Sequence, residues 1–500
     1  MEKKNRICAY KGDPVVPGVN KKKNGINFAV EVPGDTEASL VLYRKGAAEP
    51  ETEFPFTEEY RTGRMCAMLV TGLRPERYEY NFRIDGKIVQ DPFACVIRGR
   101  EKFGAPLSKD EHEVRCAFLS EKEYDWEGDT APEIPYSEMI LYKIHVRGYT
   151  RQAKLALRKR GTFAGLTEMI PYWKELGINA VELMPAYEFQ ECVQADYAVN
   201  LAVRKKSDDR INYWGYTRGF YFAPKESYCA TKEPDREFRD MIRALHKAGI
   251  ECIMEMYFPK GTPSLQMIRS LWFWKLYYHV DGFHLLGDGV QQDVIERDPI
   301  LYGTKKLFSN VSGEADAENM LAEYNAGFML DMRRFLKSDE GMISGAEFHV
   351  RRNTGNFGTV NYMAAQDGFT LYDTVSYNYR HNEANGEDNR DGSEFNYSWN
   401  CGVEGSTRKT AVRRMREQQM RNAFLMLLLS QGTPMIYGGD EFANSQDGNN
   451  NVWCQDNPTG WTDWKNARRH TGLSSFVKAA IAFRKNHPIL HMPKEMRGVD

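Results

Sequence analysis

Three carboxylates, Glu255, Asp288 and Asp367, are the candidates for acid, base or nucleophile chemistry. Each lies in or just past a run that reads as a β-strand: "IECIMEMYFPK", "VDGFHLLGDGV" and "VNYMAAQDGF". Active sites of barrel enzymes sit where such strands end. The second run is the odd one. Alternation puts His284 and Leu286 on one side of the strand and Phe283 and Leu285 on the other. A histidine and a leucine therefore stand where charge is wanted. Asp288 also fits a plain turn between Gly287 and Gly289. Two aromatics, Trp214 and Tyr216 in "NYWGYTRGFYFAPKESY", offer flat faces for sugar rings, or simple core packing.

The elements that must position these residues fall into two textures. From about residue 20 to 125, short β-rich runs such as "INFAVEV", "ASLVLYR", "MCAMLV" and "YEYNFRIDG" are divided by turn residues. This predicts a small antiparallel β-sandwich over 1–128, followed by a Pro- and acid-rich linker at 129–138. Beyond it, short buried strands alternate with helices. "MILYKIHVRGYT", "INAVELMP" and "IECIMEMYFP" are strands, and "FAGLTEMIPYWKELG" and "REFRDMIRALHKAG" are helices ended by glycine. That order means βα units, and its length suits a (β/α)8 TIM barrel over 139–490. No GxGxxG or phosphate loop supports a doubly wound alternative. The sixth strand lies near Phe348 or in the "AEYN" segment. The polar tail 491–500 has no capping strand and reads as the start of a further C-terminal domain.

Composition narrows the class. The 500 residues are 42% hydrophobic and 27% charged with formal net charge -2, so nothing argues for a nucleic-acid or membrane partner. Nine cysteines without a CxxC pair argue against a disulfide framework or zinc site. The start has no apolar run of signal-peptide type, and the longest apolar run, Ala423–Leu429, is too short to span a bilayer. A reducing cytoplasm is expected.

The stretch from Val360 to Gly405, "VNYMAAQDGFTLYDTVSYNYRHNEANGEDNRDGSEFNYSWNCGVEG", is a strand followed by a long polar loop. Irregular loops of this length are usually functional. The segment closely resembles the debranching branch of the alpha-amylase superfamily of glycoside hydrolases, the isoamylase, pullulanase and glycogen-debranching type. "LYKIHVRGYT", "GTFAGLTEMIPYWKELGINAVELMPAYEF", "NYWGYTRGFYFAPKESY" and "GTPMIYGGDEFANSQDGNNNVWCQDN" follow that family in order, and the N-terminal sandwich is similar to its carbohydrate-binding-like domain. The resemblance implies retaining chemistry on α-glucans. An Asp nucleophile, a Glu acid/base and a second, stabilising Asp would carry it, the first two about 5–5.5 Å apart.

The chain departs from the family at those positions. Where the fourth strand should read Asp-Gly-Phe-Arg-Phe-Asp, "DGFHLL" puts His284 at the arginine and Leu286 at the nucleophile. The general acid falls on Asn310, or on Ser309 one gap away. The third strand's closing histidine becomes Lys260, behind Glu255 and Pro259. The seventh strand's His-Asp becomes Gln366-Asp367, so Asp367 alone survives in type. The losses are coherent: an arginine left without its aspartate would be a buried unpaired cation.

Three readings remain. The first is a catalytically impaired binder of glycogen, starch or maltodextrins using Tyr216, Trp214 and His284, with no cofactor or metal. His284 also fits a satisfied core histidine. The second is an active α-1,6-glucosidase using displaced carboxylates among Glu255, Asp288 and Asp367. The third is a protein-interaction module that kept only the fold.

Overall fold

The computed structural model describes residues 6–105, 114–120, 122–191, 210–311 and 316–493. The chain forms two compact units. One is Met1–Trp126 with Tyr187–Gln190 and Arg218–Arg236; the other is Glu127–Ala186, Glu191–Thr217 and Glu237–Asp500.

The first unit is built from two antiparallel sheets. One orders Cys8–Lys11, Met65–Thr71, Gly25–Glu31 and Gly18–Lys22; the other orders Val96–Arg98, Arg115–Ala117, Tyr78–Ile84, Ala38–Arg44 and Pro50–Pro55. Cross-strand register pairs Phe28 with Met68 in one sheet and Leu42 with Tyr80 in the other. These side chains meet in one buried core, where Phe28 and Tyr80 pack edge-on at 5.3 Å. The hairpin of Tyr187–Phe189 and Gly219–Pro224 belongs to this unit, and its Ala223 enters the same core.

The second unit is a closed barrel of eight parallel strands. In order these are Leu141–Ile144, Ala180–Leu183, Glu251–Tyr257, Gly282–Leu286, Lys305–Phe308, Leu321–Asn325, Gly358–Tyr362 and Thr433–Tyr437. The expected TIM barrel is therefore present. The sixth strand is the "AEYN" segment; Phe348 lies instead in the helix Ile343–Arg351. Gly177, at φ 98°, closes the helix Ile170–Leu176 in the left-handed conformation that glycine favours. The connection from the fifth to the sixth strand is unusual. A (β/α)8 barrel places a helix after each strand, yet among the described residues this one holds only the short 3-10 turn Ala317–Asn319. The tail expected to lead onward lies, from residue 494, outside the described residues.

Candidate active-site cluster in the barrel

Two layers of side chains fill the barrel, spaced by the strand period of two. The first is apolar: Leu141, Ala180, Ile253, Ala322, Val360 and Met435 share one core cluster. Two residues further along the same strands stand Lys143, Glu182, Glu255, Tyr324, Tyr362 and Tyr437, and His284 follows Gly282 in the same way. Register sets Lys143 beside Glu182 and Glu255 beside His284. The fold thus gathers two acids and two bases into one layer.

These groups are removed from water: Lys143 is 1% exposed, Glu182 and Glu255 0%, and His284 3%. They pair with one another, although the buried His284 Nε2 has no hydrogen-bond partner. Lys143 Nζ lies 3.2 Å from Glu182 Oε1 and also pairs with Glu255 Oε1. His284 Nδ1 is 2.8 Å from Glu182 Oε1 and 3.4 Å from Glu255 Oε1. Tyr324 stacks on the imidazole at 4.2 Å and donates its hydroxyl to Glu182 Oε2 at 3.2 Å. Tyr216 donates to Glu255 Oε2 at 2.7 Å. Burial works against charge on Lys143, Glu182 and His284, but the opposite charges outweigh it. Glu182 is held well below the carboxylate range by Lys143 and His284. Lys143 and His284 are both pushed above their ordinary values by Glu182 and Glu255. One donor atom each from Glu182, Glu255 and His284 falls within 4.8 Å of the others, a spacing open to a metal ion. Lys143 already supplies the cation between the two carboxylates.

Relatives place this barrel. Isoamylase 1, chloroplastic, from Arabidopsis thaliana is 30% identical over 603 aligned positions, covering 96% of this chain and 76% of the relative. The glycogen operon protein GlgX homolog of Haemophilus influenzae is 31% identical, covering 95% and 84%. The chain belongs to the debranching branch of the alpha-amylase superfamily. A pullulanase from Paenibacillus barengoltzii shares the fold, with a TM-score of 0.69 at 19% identity over 96% of this chain and 82% of that one. No family model matches. The plant alignment is longer than this chain's 500 residues, so that isoamylase carries segments absent here.

Against the debranching pattern, the residues singled out in sequence separate into two groups. His284, Glu255 and Tyr216 come together in the buried layer. Leu286, where the sequence reading expects the nucleophile, is half-buried one step nearer the mouth, opposite Tyr257. Asp367 is exposed in the bend that follows the seventh strand Gly358–Tyr362, and its charge reaches both Lys143 and Tyr216. Gln366 is buried with its Oε1 unpartnered. Asp288, Lys260, Ser309 and Asn310 are exposed. Ser309, rather than Asn310, continues the inward phase of Lys305 and Leu307. Asp288 sits in the tight turn between Gly287 and Gly289; a Cβ on Gly287 would fall 2.5 Å from the Phe258 carbonyl oxygen. Trp214 is only 7% exposed and packs edge-on to Tyr216 at 5.9 Å.

Lys143, Glu182 and Tyr324 escaped the sequence reading. The available signal was a lysine and a glutamate inside the buried strands "LYKI" and "AVEL", each two residues past an apolar inward position.

Proposed function

We propose that this chain is a catalytically impaired, α-glucan-binding member of the debranching family, holding glycogen, starch or maltodextrin chains without cleaving them. The neutralised carboxylate pair carries this reading. One oxygen each of Glu182 and Glu255 lies within 4.8 Å of the other, but a nucleophile must reach the anomeric carbon. Both are fully buried and tied to Lys143 and His284. Leucine at position 286 has no lone pair with which to form a glycosyl ester. Asp367 keeps the exposed position from which a carboxylate accepts sugar hydroxyls. Every described cysteine is free, which suits a reducing compartment.

Reducing-sugar release from pullulan and limit dextrin tests the reading, together with binding of a labelled maltooligosaccharide. The expected result is no release above the blank and saturable binding at up to millimolar ligand. Release that disappears in Asp367→Ala would instead establish an active enzyme. One observation favours the interaction-module reading: Trp214 is withdrawn and the Tyr216 hydroxyl is committed to Glu255. Absence of all glucan binding would select it.

A further inference from the structure

The loop that leaves the first barrel strand is strongly basic. Between residues 147 and 160 six side chains are lysine or arginine and none is aspartate or glutamate, in a chain whose formal net charge is only -2. Cations on a solvated face ordinarily stay apart, each with its own water. Three guanidiniums of this loop, on Arg147, Arg151 and Arg160, are half-buried and drawn together instead.

Gly161 shows how they converge. It is buried and sits at φ 78°, in the left-handed region that glycine favours. A Cβ there would fall 2.8 Å from Arg151 Cδ and 3.3 Å from Arg147 Cγ, so both stems lie against the bare backbone. Two hydrogen bonds fix the turn. The Gly161 N–H donates to Thr150 Oγ1 at 2.7 Å, and Arg160 Nε donates to the Leu155 carbonyl at 3.1 Å. The charge of Arg160 then acts on Arg151, as does that of Arg147.

Counter-charge is short at this point. Asp456 accepts from Arg147 Nε and Nη2, each at 2.8 Å, and from the Trp461 indole N–H at 2.9 Å. Glu168 is engaged by Lys159. The Arg151 guanidinium lies over the Trp461 ring at 5.0 Å, and its buried Nε has no hydrogen-bond partner. Burial, then the charge of Arg147, holds Arg151 below its ordinary value; Arg160 adds to this, while Asp456 and Tyr213 oppose it. With Asp456 committed to Arg147, the charges of Arg151 and Arg160 remain. Two positive charges match a phosphate dianion, and the guanidinium fork fits phosphate oxygens two at a time. Gly148, Tyr149 and Gly460 line one depression together with Lys143, which places this cluster at the rim of the barrel mouth.

We propose that Arg151 and Arg160, beside the Arg147–Asp456 pair, form a binding site for a phosphate group. The site goes beyond the glucan reading and does not depend on it. Calorimetry and thermal melts with inorganic phosphate and with glucose 6-phosphate, against sodium chloride at matched ionic strength, test it. Both phosphates are expected to bind the wild type and raise its melting temperature, and chloride to do neither. Arg151→Gln is expected to weaken phosphate binding at least tenfold and Arg160→Gln several-fold. Arg390→Gln, on a different loop, is expected to change nothing. Without phosphate, Arg151→Gln is expected to melt no lower than the wild type, because it removes a crowded cation; a purely structural arginine would lower the melt. Amylopectin bearing phosphate esters, compared with the same polymer after phosphatase treatment, separates the sources. A preference for the esterified polymer that Arg151→Gln abolishes places the phosphate on a glucan. Equal binding of the two polymers, with inorganic phosphate still bound, makes the ligand a free phosphate or a sugar phosphate. Phosphate effects no larger than those of chloride, or equal phosphate binding by the wild type and Arg151→Gln, overturn the site and leave the glucan reading standing. Phosphate binding by a protein that binds no maltooligosaccharide overturns the glucan reading and leaves the site.

Discussion

Lys143 Nζ bridges Glu182 and Glu255 from inside the barrel, 3.2 Å from the Glu182 Oε1. This one ammonium makes a buried carboxylate pair tolerable. Replacing a whole buried ion pair by apolar groups is often harmless, but removing one partner costs about 3–5 kcal/mol. Lys143→Met is therefore expected to lose about that much unfolding free energy. Urea denaturation checks it, and a loss below about 1 kcal/mol would show that His284 alone neutralises both acids.

Removing the ammonium exposes a second property. In Lys143→Ala, Glu182, Glu255 and His284 remain as three converging donors within 4.8 Å of one another. Imidazole nitrogen and carboxylate oxygen are each zinc ligands, and three protein donors are the number a site with an open position uses. Micromolar Zn²⁺ is expected to raise the melting temperature of Lys143→Ala and leave the wild type unchanged. Equal shifts in both proteins would place the binding elsewhere.

The contrast between legible and hidden features has a physical basis. The barrel was readable because each inner strand is an apolar run bounded by turns, as in "INAVELMP". The sixth strand was ambiguous because five residues, two of them Glu323 and Asn325, carry little β signal. A histidine at 284 and a leucine at 286 can be read directly from "DGFHLL". The partner of His284 cannot. Glu182 lies 102 residues before His284, and only closure of the barrel turns both inward. The burial of Trp214 was equally hidden, since exposure depends on what packs over a ring.

At the N-terminal end of the barrel, His246 is clasped between two acids. Its Nδ1 lies 2.9 Å from Asp129 Oδ2 and its Nε2 3.0 Å from Asp281 Oδ2. Burial opposes its protonation, but the hydrogen bonds and charges of Asp281 and Asp129 prevail and push it up to about 9. A raised folded-state value means the charged form stabilises the fold. That contribution is complete below about 6.5, the unfolded value, and is lost as pH rises through about 9. Its size is about 3 kcal/mol. Unfolding free energies at pH 6.5 and 9.5 are expected to differ by this amount in the wild type and by much less in His246→Gln. Parallel pH profiles for the two proteins would assign the alkaline loss to other groups.

Tyr216 closes the buried layer from the mouth side, and its hydroxyl rather than its ring is what the layer needs. The hydroxyl donates to Glu255 Oε2 at 2.7 Å, while the ring packs on Trp214 and Tyr257, each at 5.9 Å. Tyr216→Phe keeps both ring contacts and leaves a buried carboxylate oxygen short of one donor. The expected cost is about 1–3 kcal/mol of stability, the usual penalty for an unsatisfied buried group. A residue serving only as a sugar platform would lose nothing on this change, because phenylalanine presents the same face. Chemical denaturation of the variant without ligand therefore separates the two roles. A stability unchanged within about 0.5 kcal/mol would return Tyr216 to the sugar-stacking role.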